Sequence, residues 1–451
     1  MALPNTHLGI VSLAHPGVLP RANKKQIEYA VRLGLALGCK INPFSAFDRK
    51  NYFYADLPKG YQITQDKFPI CTGGGITIQT TQGEKYIRLH HIHIEEDAGK
   101  SIHDLHPTLS FIDLNRAGVP LVEIVTEPDL RSGEEADVLM TAMRRLVRWL
   151  GVSDGVMEEG SMRCDCNISI RPAGSDVLNT RCEIKNVNSM RFARRAIEYE
   201  TQRQIALVES GGKVIQQTLN FDPVTGVTTP LRDKENAHDY RYFPDPDLPP
   251  VVLSDAYIAN ANAALPELPW ALQKRLTEAY QLSPYDADIL THEKETAYAY
   301  LQYADPLTPP LRKPLANLFL NKILPYLQET NTPFSQFPLS PQTITAFLEL
   351  IESGKISPSA AYSKLFPELL NAPTQNPAHL ADRLQLLQNA ETGFLEQIVR
   401  DVLARFPDKV AEYRKGKKGL TGLFMGEIMK AAKGKAEPKS TNAILLKELE
   451  K

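Results

Sequence analysis

The spacing of apolar residues predicts that the first half of the chain alternates between helices and short strands. Apolar side chains recur three and four residues apart over 24–38, with Gly38 at the end, which predicts a helix. Ser132 followed three positions later by Glu135 is a capping signature, so a second helix is expected to begin there. Further segments with regular spacing are two strands and a helix, over 161–172, 180–186 and 190–209. This alternation predicts an α+β domain with mixed strands.

The pattern changes after about residue 262, where strand signals fade. Helical spacing then recurs in three segments, 271–281, 343–353 and 378–389. Proline-rich stretches at 305–314 and 366–377 predict joints between helices, and the second of them predicts a linker. These changes predict three domains, over residues 1–262, 263–370 and 376–451.

The bulk composition is that of an ordinary globular protein and excludes few functions. Of the 451 residues, 43% are apolar and 23% are charged, and the formal net charge is −2. Nucleic acid would therefore have to bind a local basic patch. Five cysteines without paired spacing argue against a secreted disulfide scaffold. The sequence has no signal peptide and no apolar run of membrane-spanning length, so we expect no membrane contact and a cytoplasmic location.

The segment 89–100, with the sequence LHHIHIEEDAGK, is the richest in candidate chemistry. In a strand the side chains alternate, which places His91, His93 and Glu95 on one face. Two imidazoles and a carboxylate can hold a divalent cation, and Lys100 just beyond them suits a metal-bound phosphate. A polar strand edge with solvated histidines is the structural alternative.

A second acid, Glu123, lies inside the apolar run 121–125, which predicts a buried strand. An unpaired carboxylate is costly to bury, so it needs a metal, a cation or a hydrogen-bond network. An ion pair with Arg116 is the structural alternative to a metal site shared with Glu95.

The strand predicted over 161–172 separates into an apolar and a polar face. Cys164 and Cys166 are on the apolar face, where we expect core residues rather than zinc ligands. The polar faces of this strand and the next could meet a nucleotide or an acidic substrate, and they carry Arg163, Asp165, Arg181, Glu183 and Lys185.

Three other regions combine cations in ways that suit binding. Residues 47–62 and 239–247 mix cations with aromatic rings, which suits stacking on a base or packing within the domain. No glycine-rich phosphate loop with a following lysine occurs. Residues 401–440 carry ten Lys and Arg against five Asp and Glu, either a solvated face or a surface for an RNA backbone. The candidate lysines there are Lys417, Lys418, Lys430, Lys433 and Lys435.

Several of these strings together resemble a known family. They are HIEEDAGK at 93–100, DLNRAGVPLVEIVTEPD at 113–129, MEEGSMRCD at 157–165 and DYRYFP at 239–244. They are similar to the sequence marks of the B subunits of the aspartyl/glutamyl-tRNA amidotransferases, the GatB family. The likeness runs through the chain in order.

The resemblance implies a kinase-like cradle domain with a mixed or antiparallel sheet, an all-α helical domain and a small YqeY-like helical tail. It implies a ligase that uses ATP and Mg²⁺ to convert Glu-tRNA(Gln) to Gln-tRNA(Gln), or Asp-tRNA(Asn) to Asn-tRNA(Asn). The chain would phosphorylate the side-chain carboxylate of the mischarged amino acid. A glutaminase (the A subunit) would supply ammonia, a small C subunit would clasp the other two, and the tail would bind tRNA.

Matched residue by residue, the resemblance implies that Glu95 and Glu123 are catalytic and bind Mg²⁺. Asp165 and Glu183 are then expected to be further catalytic acids of the same pocket. The expected nucleotide-binding cations are Lys100, Arg163 and Lys185.

The chain departs from the family pattern at its start. The family opens with a strand Gly-Leu-Glu-Val-His whose Glu and His belong to the metal site, and nothing in this sequence corresponds to it. Gly9 and Ser12 stand where some relatives carry a Cys-x-x-Cys motif, so no structural zinc is expected. Two other interpretations stay open: a non-catalytic tRNA-binding scaffold, and a metallohydrolase that uses His91 and His93. The choice between Glu-tRNA and Asp-tRNA also stays open.

Overall fold

The chain folds into two compact units, Met1–Pro269 with strands and helices and Trp270–Lys451 built of helices. The computed structural model describes residues 3–102, 105–106, 108–231, 240–388, 392–432, 436 and 438–450. The mixed α and β class and the change to helices in the second half are confirmed. The division of the second half into domains 263–370 and 376–451 stays a prediction.

The first unit is built on short strands that pair mainly antiparallel. In chain order these are β1 (Lys40–Ile41), β2 (Phe44–Ser45), β3 (Asp48–Asn51), β4 (Tyr61–Thr64), β5 (Cys71–Thr72), β6 (Gly75–Thr80), β7 (Gly83–Glu96), β8 (Lys100–Ile102), β9 (Phe111–Asp113), β10 (Pro120–Thr126), β11 (Cys164–Ile168), β12 (Cys182–Val187), β13 (Thr218–Phe221), β14 (Thr228–Pro230), β15 (Phe243–Pro244) and β16 (Val251–Val252). Because β12 and β13 run parallel, the expected mixed pairing is confirmed.

Helices cover the first unit and form the second. In chain order these are α1 (Lys24–Ala36), α2 (Gly133–Trp149), α3 (Met190–Glu209), α4 (Asp255–Ala263), α5 (Pro269–Glu278), α6 (Pro284–Leu290), α7 (Lys294–Ala304), α8 (Pro309–Leu318), α9 (Leu324–Glu329), α10 (Pro341–Glu352), α11 (Pro358–Ala360), α12 (Phe366–Asn371), α13 (Pro377–Arg383), α14 (Thr392–Arg405), α15 (Pro407–Arg414), α16 (Thr421–Ala431) and α17 (Pro438–Glu450). Phe319–Ile323 and Ala361–Leu365 are π-helical turns that continue α8 into α9 and α11 into α12, and Phe334–Gln336 and Lys418–Leu420 are 3₁₀ turns.

The first helices begin where short polar side chains can cap them. The Asn23 side chain accepts a hydrogen bond from the amide of Lys25 at 2.9 Å, at the start of α1. Ser132 Oγ accepts from the amide of Glu135 at 3.1 Å, so the predicted cap of α2 is confirmed. The predicted helix over 190–209 is α3.

The proline-rich joints expected in the second half are wrong in large part. Pro309 begins α8 within the stretch 305–314, and α12 occupies the first half of 366–377. Proline lacks an amide hydrogen, but the first turn of a helix has no partner for that hydrogen. Pro309 therefore starts a helix instead of excluding one, whereas Pro314 lies inside α8 and α12 continues α11. The helix expected over 378–389 is shorter than predicted, because α13 ends at Arg383.

Strand β7 organises the first unit. It pairs with β5, β6 and β10 and becomes buried on both faces towards its end, from Ile92 to Glu95. Helix α1 packs closely on this sheet, and a Cβ at Gly34 would lie 2.4 Å from the sulfur of Cys71. The polar side chains at the end of β7 are thus held in a covered position, where they need hydrogen-bond partners.

A second sheet, in the order β11–β12–β13–β14, packs against α3. Along β11 exposure alternates, with Asp165 and Asn167 exposed and Cys166 and Ile168 buried. The expectation that Cys166 is a core residue is confirmed, since it is 7% exposed in one apolar cluster with Ala193. None of the helices in the described part of the chain is both long and apolar enough to cross a membrane.

Candidate metal centre and its surroundings

Three potential metal ligands meet between β7 and β10. The antiparallel register places Glu123 of β10 opposite His93 of β7, with Glu95 two positions further along β7. His93 Nε2 lies 3.0 Å from Glu95 Oε1 and 3.8 Å from Glu123 Oε2. One ligand atom from each of the three residues lies within 4.8 Å of the other two. The structure thus brings together the two acids that were expected at one site, and adds His93 to them.

Glu95 is fixed by partners on β4. Thr64 Oγ1 donates to one carboxylate oxygen at 2.8 Å, and Gln62 Nε2 donates to the other at 3.1 Å. Burial opposes ionisation of Glu95, but hydrogen bonds from His93 and Thr64 outweigh burial and hold the pKa of this carboxyl below its ordinary value. Glu95 is therefore charged and oriented before any ligand arrives. No sequence pattern pointed to Gln62 and Thr64, which reach Glu95 only through the tertiary fold.

Glu123 differs from the expectation of a buried acid in an apolar strand. Its side chain is 52% exposed, because β10 is the last strand in the order β1–β5–β7–β10. The expected alternative partner, Arg116, instead binds Asp97 at 2.8 Å. The surrounding protein and the negative charge of Glu95 raise the pKa of Glu123, while His93 and Lys50 reduce the increase. A cation between the two carboxylates would relieve their repulsion.

The histidines of β7 form a chain of contacts that leads to Glu95. His90 Nδ1 lies 2.6 Å from His91 Nδ1, and His91 Nε2 lies 3.0 Å from His93 Nδ1. Burial, assisted by His93 and His90, lowers the pKa of His91 to about 4, so this imidazole is neutral near pH 7. A neutral His91 can accept the Nδ1 proton of His93, so that a bound cation can replace the Nε2 proton that otherwise bonds to Glu95.

The metallohydrolase interpretation required His91 and His93 on one cation. In the part of the chain that the structure describes, the ligand group contains His93 but not His91, which contacts the opposite nitrogen of His93. The geometry therefore argues against that interpretation.

Asp97 joins three of the sequence strings that marked the resemblance. Its Oδ2 atom accepts a hydrogen bond from Arg116 at 2.8 Å and is ion-paired with Arg163 at 2.7 Å. Arg116 also donates to the carbonyl of Gly160 at 2.7 Å. Gly160 has a φ of +73°, and a Cβ there would lie 2.0 Å from Arg116 Nη1, so a side chain is excluded. The sequence analysis assigned no role to Asp97. The available signal was that Asp97, Arg116 and Arg163 each lie in one of the three strings.

The acids and the lysine expected on the second sheet form their own group. Lys185 Nζ lies 3.5 Å from Asp165 and 3.5 Å from Glu183. Desolvation by the surrounding protein raises the pKa of Asp165 although its side chain is 49% exposed, Lys185 lowers the pKa, and the charge of Glu183 adds to the increase. The charge of Asp165 also adds to the increase in the pKa of Glu123, so the two groups are near enough to interact. Arg163 is placed differently, because it is bound to Asp97.

The remaining expected site residues are Lys100, in the first unit, and the lysines of the helical unit. Lys100 is exposed on β8, opposite Asp113 of β9. Within the described ranges no hydrogen bond or ion pair joins the Lys100 ammonium to the acids. Lys417, Lys418 and Lys430 are exposed in the helical unit, and Lys433 and Lys435 lie outside the described residues.

The two aromatic and cationic clusters noted in the sequence form one surface. Strand β3 pairs with β15, and the amide of Asn51 donates to the carbonyl of Tyr240 at 2.9 Å. The rings of Tyr52 and Tyr240 are 6.2 Å apart, and Lys50 Nζ lies 4.9 Å from the centre of the Tyr240 ring. Burial raises the pKa of Tyr52, and the nearby charge of Glu95 adds to the increase. The aromatic surface therefore borders the acids.

Two family models match the chain. The model described as the GatB/GatE catalytic domain matches residues 1–259. The model described as the GatB domain matches residues 307–449. Together they account for most of the strand-containing unit and most of the helical unit.

Curated proteins with similar sequences share one name, which identifies them as B subunits of an aspartyl/glutamyl-tRNA(Asn/Gln) amidotransferase. The protein from Geotalea uraniireducens is 48% identical over 451 residues, which is 99% of this chain and 93% of that protein. The protein from Myxococcus xanthus is 48% identical over 448 residues, with the same two shares. The protein from Geotalea daltonii is 46% identical over 452 residues, 100% of this chain and 94% of that protein.

Proposed function

The chain belongs to the family of aspartyl/glutamyl-tRNA(Asn/Gln) amidotransferase B subunits, and we propose that it activates the side-chain carboxylate of the mischarged amino acid by phosphoryl transfer from ATP. It is one component of a glutamine-hydrolysing ligase whose overall reaction is transamidation of Glu-tRNA(Gln), Asp-tRNA(Asn) or both. The observation that carries the proposal is the convergence of His93, Glu95 and Glu123.

These three side chains fit a divalent cation. Glu95 is held in place by β4, while the half-exposed Glu123 leaves one side open to water and phosphate oxygens. Mg²⁺ keeps several waters and uses one or two carboxylates, which matches this arrangement. The two carboxylates also make the set suitable for Mn²⁺. When bound, Mg²⁺ would neutralise negative charge on the phosphate groups.

Lysines supply positive charge close to these acids. The charge of Lys50 reaches both Glu95 and Glu123. Desolvation works against the charge of Lys185, but Asp165 and Glu183 outweigh it and raise the pKa of this ammonium. Lys185 therefore stays protonated, and both lysines can donate hydrogen bonds to a transferring phosphoryl group.

Phosphorylation solves a chemical problem of amide formation. A free carboxylate is a poor acyl donor, because its leaving group would be an oxide. Transfer of the γ-phosphoryl group gives an acyl phosphate and ADP, and attack by ammonia then gives the amide and releases inorganic phosphate. The acids and lysines of this site hold the phosphate and the carboxylate in contact during the transfer.

The rest of the chain is assigned accordingly. Residues 1–262 form the kinase-like cradle, residues 263–370 the helical domain and residues 376–451 the YqeY-like tail. A glutaminase (the A subunit) supplies the ammonia and a small C subunit completes the complex. The tail binds tRNA through Lys417, Lys418 and Lys430, together with Lys433 and Lys435 outside the described residues.

The test is Glu123→Gln in a complex reconstituted with its partner subunits. This change keeps the size of the side chain and removes one of the two negative charges at the cation site. We expect amide formation to fall about 10²-fold or more, because a charged group that acts in the transition state is lost. The measurement is Gln-tRNA or Asn-tRNA formed with glutamine and, separately, with ammonia as the nitrogen donor, together with ADP release.

A matched control is Glu127→Gln, at the far end of the same strand region. It removes an equal charge outside the ligand group and should leave amide formation near the wild-type rate. Ammonia-driven amide formation at the wild-type rate by the Glu123 variant would contradict the proposal. Loss with glutamine alone would place Glu123 in ammonia delivery instead and would contradict it equally.

A further inference from the structure

Two thiols on β11 lie unusually close together. The sulfur atoms of Cys164 and Cys166 are 3.8 Å apart, and both are free thiols. In a regular strand, Cα atoms two positions apart are separated by about 6.6–6.8 Å, near the upper limit for a disulfide. Some local distortion of the strand pair is therefore needed to bring these two sulfurs together.

A β-bulge provides that distortion. Cys164 is opposite Val187 and Cys166 is opposite Ile184, so two steps along β11 correspond to three along β12. The extra residue is on β12, so β12 is the strand that bends, and the local twist of the pair beside the two cysteines increases. The irregularity lies between the two cysteines and nowhere else in this pairing.

We propose that Cys164 and Cys166 are a modification site that forms a reversible internal disulfide by exchange with a small-molecule disulfide such as oxidised glutathione. In a reducing compartment, protein disulfides are typically transient and serve to sense redox change. The inference needs nothing from the phosphoryl-transfer proposal, except where its effect on activity is considered.

The two thiols differ in a way that assigns their order of reaction. Cys164 is partly exposed, whereas Cys166 is 7% exposed. The hydrogen bond from Cys166 lowers the pKa of Cys164 although burial opposes this, and the same contact, with burial, raises the pKa of Cys166. The more accessible thiol is thus also the one that more readily forms a thiolate.

The exchange proceeds in two displacements. The Cys164 thiolate attacks one sulfur of the small disulfide, which forms a mixed disulfide and releases one small thiolate. Cys166 gives up its proton to solvent and attacks the Cys164 sulfur, which forms the internal disulfide and releases the second small thiol. The two protein thiols lose two electrons and two protons, and the small disulfide gains them as two thiols.

The disulfide would move a residue of the candidate site. Asp165 lies between the two cysteines and faces Lys185 at 3.5 Å. Drawing the flanking sulfurs from 3.8 Å to bonding distance, about 2.05 Å, must bend the backbone at Asp165. On the proposed function, we expect oxidation to lower amide formation about 10- to 100-fold, as misplaced groups in an active site do.

The experiment measures the thiols directly. The full chain is equilibrated with mixtures of oxidised and reduced glutathione, free thiols are alkylated, and tryptic peptides are analysed by mass spectrometry. Cleavage after Arg163 and Arg181 gives a peptide that contains Cys164 and Cys166 but no other cysteine. We expect this peptide to resist alkylation and to lose the mass of two hydrogen atoms, and dithiothreitol to reverse both changes.

Single variants separate the two displacements. Cys166→Ala should stop at the mixed disulfide on Cys164, because the second thiol is missing. The matched control is Cys182→Ala, which removes a fully buried thiol from the same core and should leave the oxidation unchanged. Peptides that keep two alkylatable thiols, or that carry only a stable glutathione adduct in the wild-type chain, would overturn the proposal.

The activity measurement distinguishes failure of the two proposals. An internal disulfide that forms without change in amide formation supports the modification site and contradicts the role of Asp165. A loss of activity in glutathione mixtures that Cys164→Ala does not prevent contradicts the disulfide as its cause.

Discussion

The acid centre of the first unit and the basic tail of the second unit were both expected to bind phosphate-bearing ligands, yet they are built in opposite ways. Glu95 is 7% exposed, and both of its carboxylate oxygens are hydrogen-bonded to residues of β4. Lys417 and Lys418 are exposed on a loop and a 3₁₀ turn, where few groups hold them. The acid centre holds its charged side chain in place by buried hydrogen bonds, whereas the tail carries its charged side chains on an exposed surface.

The ion pairs of the tail lysines also differ from the buried hydrogen bonds of the acid centre. Lys417 is paired with Glu412 at 3.0 Å and Lys430 with Glu427 at 3.3 Å, both on the surface. Surface pairs of this kind contribute little to stability and are screened by salt. The difference teaches that single substitutions should cost much at the acid centre and little in the tail.

The largest effect is expected for Asp97→Asn, which tests whether the acid centre depends on its supporting residues. The change leaves Arg116 and Arg163 without the carboxylate that they share. Breaking a buried ion pair costs about 3–5 kcal/mol, and because the two arginines are partly exposed we expect about 2–3 kcal/mol here. The measurement is the free energy of unfolding in urea, followed by the tryptophan of α2.

The control for this variant is Asp129→Asn. Asp129 binds Arg88 at 2.7 Å, but that arginine is 62% exposed, so we expect a much smaller loss than for Asp97→Asn. Equal losses of unfolding free energy in the two variants would mean that Asp97 and its arginines behave as an ordinary surface ion pair. The acid centre would then not differ from the tail in the cost of a single substitution.

The sequence predicted those features that local chemistry decides. The start of α2 follows from Ser132 and Glu135, whose contact lies within one helical turn. The meeting of His93 and Glu95 follows from the alternation of side chains along one strand. The same reasoning extends to the alternation of Asp165 and Cys166 on β11.

Features decided by tertiary structure could not be predicted in this way. The exposure of Glu123 depends on β10 being the last strand of its sheet, and an apolar run does not carry that information. Thr64 reaches Glu95 because β4 lies beside β7, 31 residues away along the chain. The prolines at 305–314 were expected to separate helices, but proline is also favoured in the first turn of a helix. The sequence alone does not show which of these two roles a given proline has.

An intermediate effect is expected for Thr64→Ala, which probes the hydrogen bond that fixes Glu95. Loss of a residue that orients a metal ligand typically lowers metal affinity or activity about 10- to 100-fold. We expect weaker Mn²⁺ binding, measured by electron paramagnetic resonance on the full chain, and slower amide formation by the complex.

Thr64→Ser serves as the conservative variant, since it keeps the hydroxyl that donates to Glu95 Oε1. It should restore Mn²⁺ binding to near the wild-type level. A serine variant as weak as the alanine variant would show that packing of the methyl group, and not the hydrogen bond, supports the centre.

The smallest effect is expected for the double change Lys417→Ala and Lys418→Ala, which tests the displayed charges of the tail. Each phosphate-binding cation that is removed should flatten the dependence of log affinity on log salt by about 0.7–0.9, so the double change should flatten it by about 1.4–1.8, and we expect affinity for tRNA to fall several-fold. The matched control is Lys274→Ala with Lys294→Ala. Lys274 faces Glu278 at 3.9 Å, as Lys417 faces a glutamate. Lys294 lies 5.8 Å from the centre of a tyrosine ring, and Lys418 also lies over a tyrosine ring. Amide formation at saturating tRNA should stay unchanged, since neither tail lysine belongs to the acid centre. A control pair that weakens binding as much as the tail pair would mean that net charge alone attracts the tRNA and that the tail is not its binding surface.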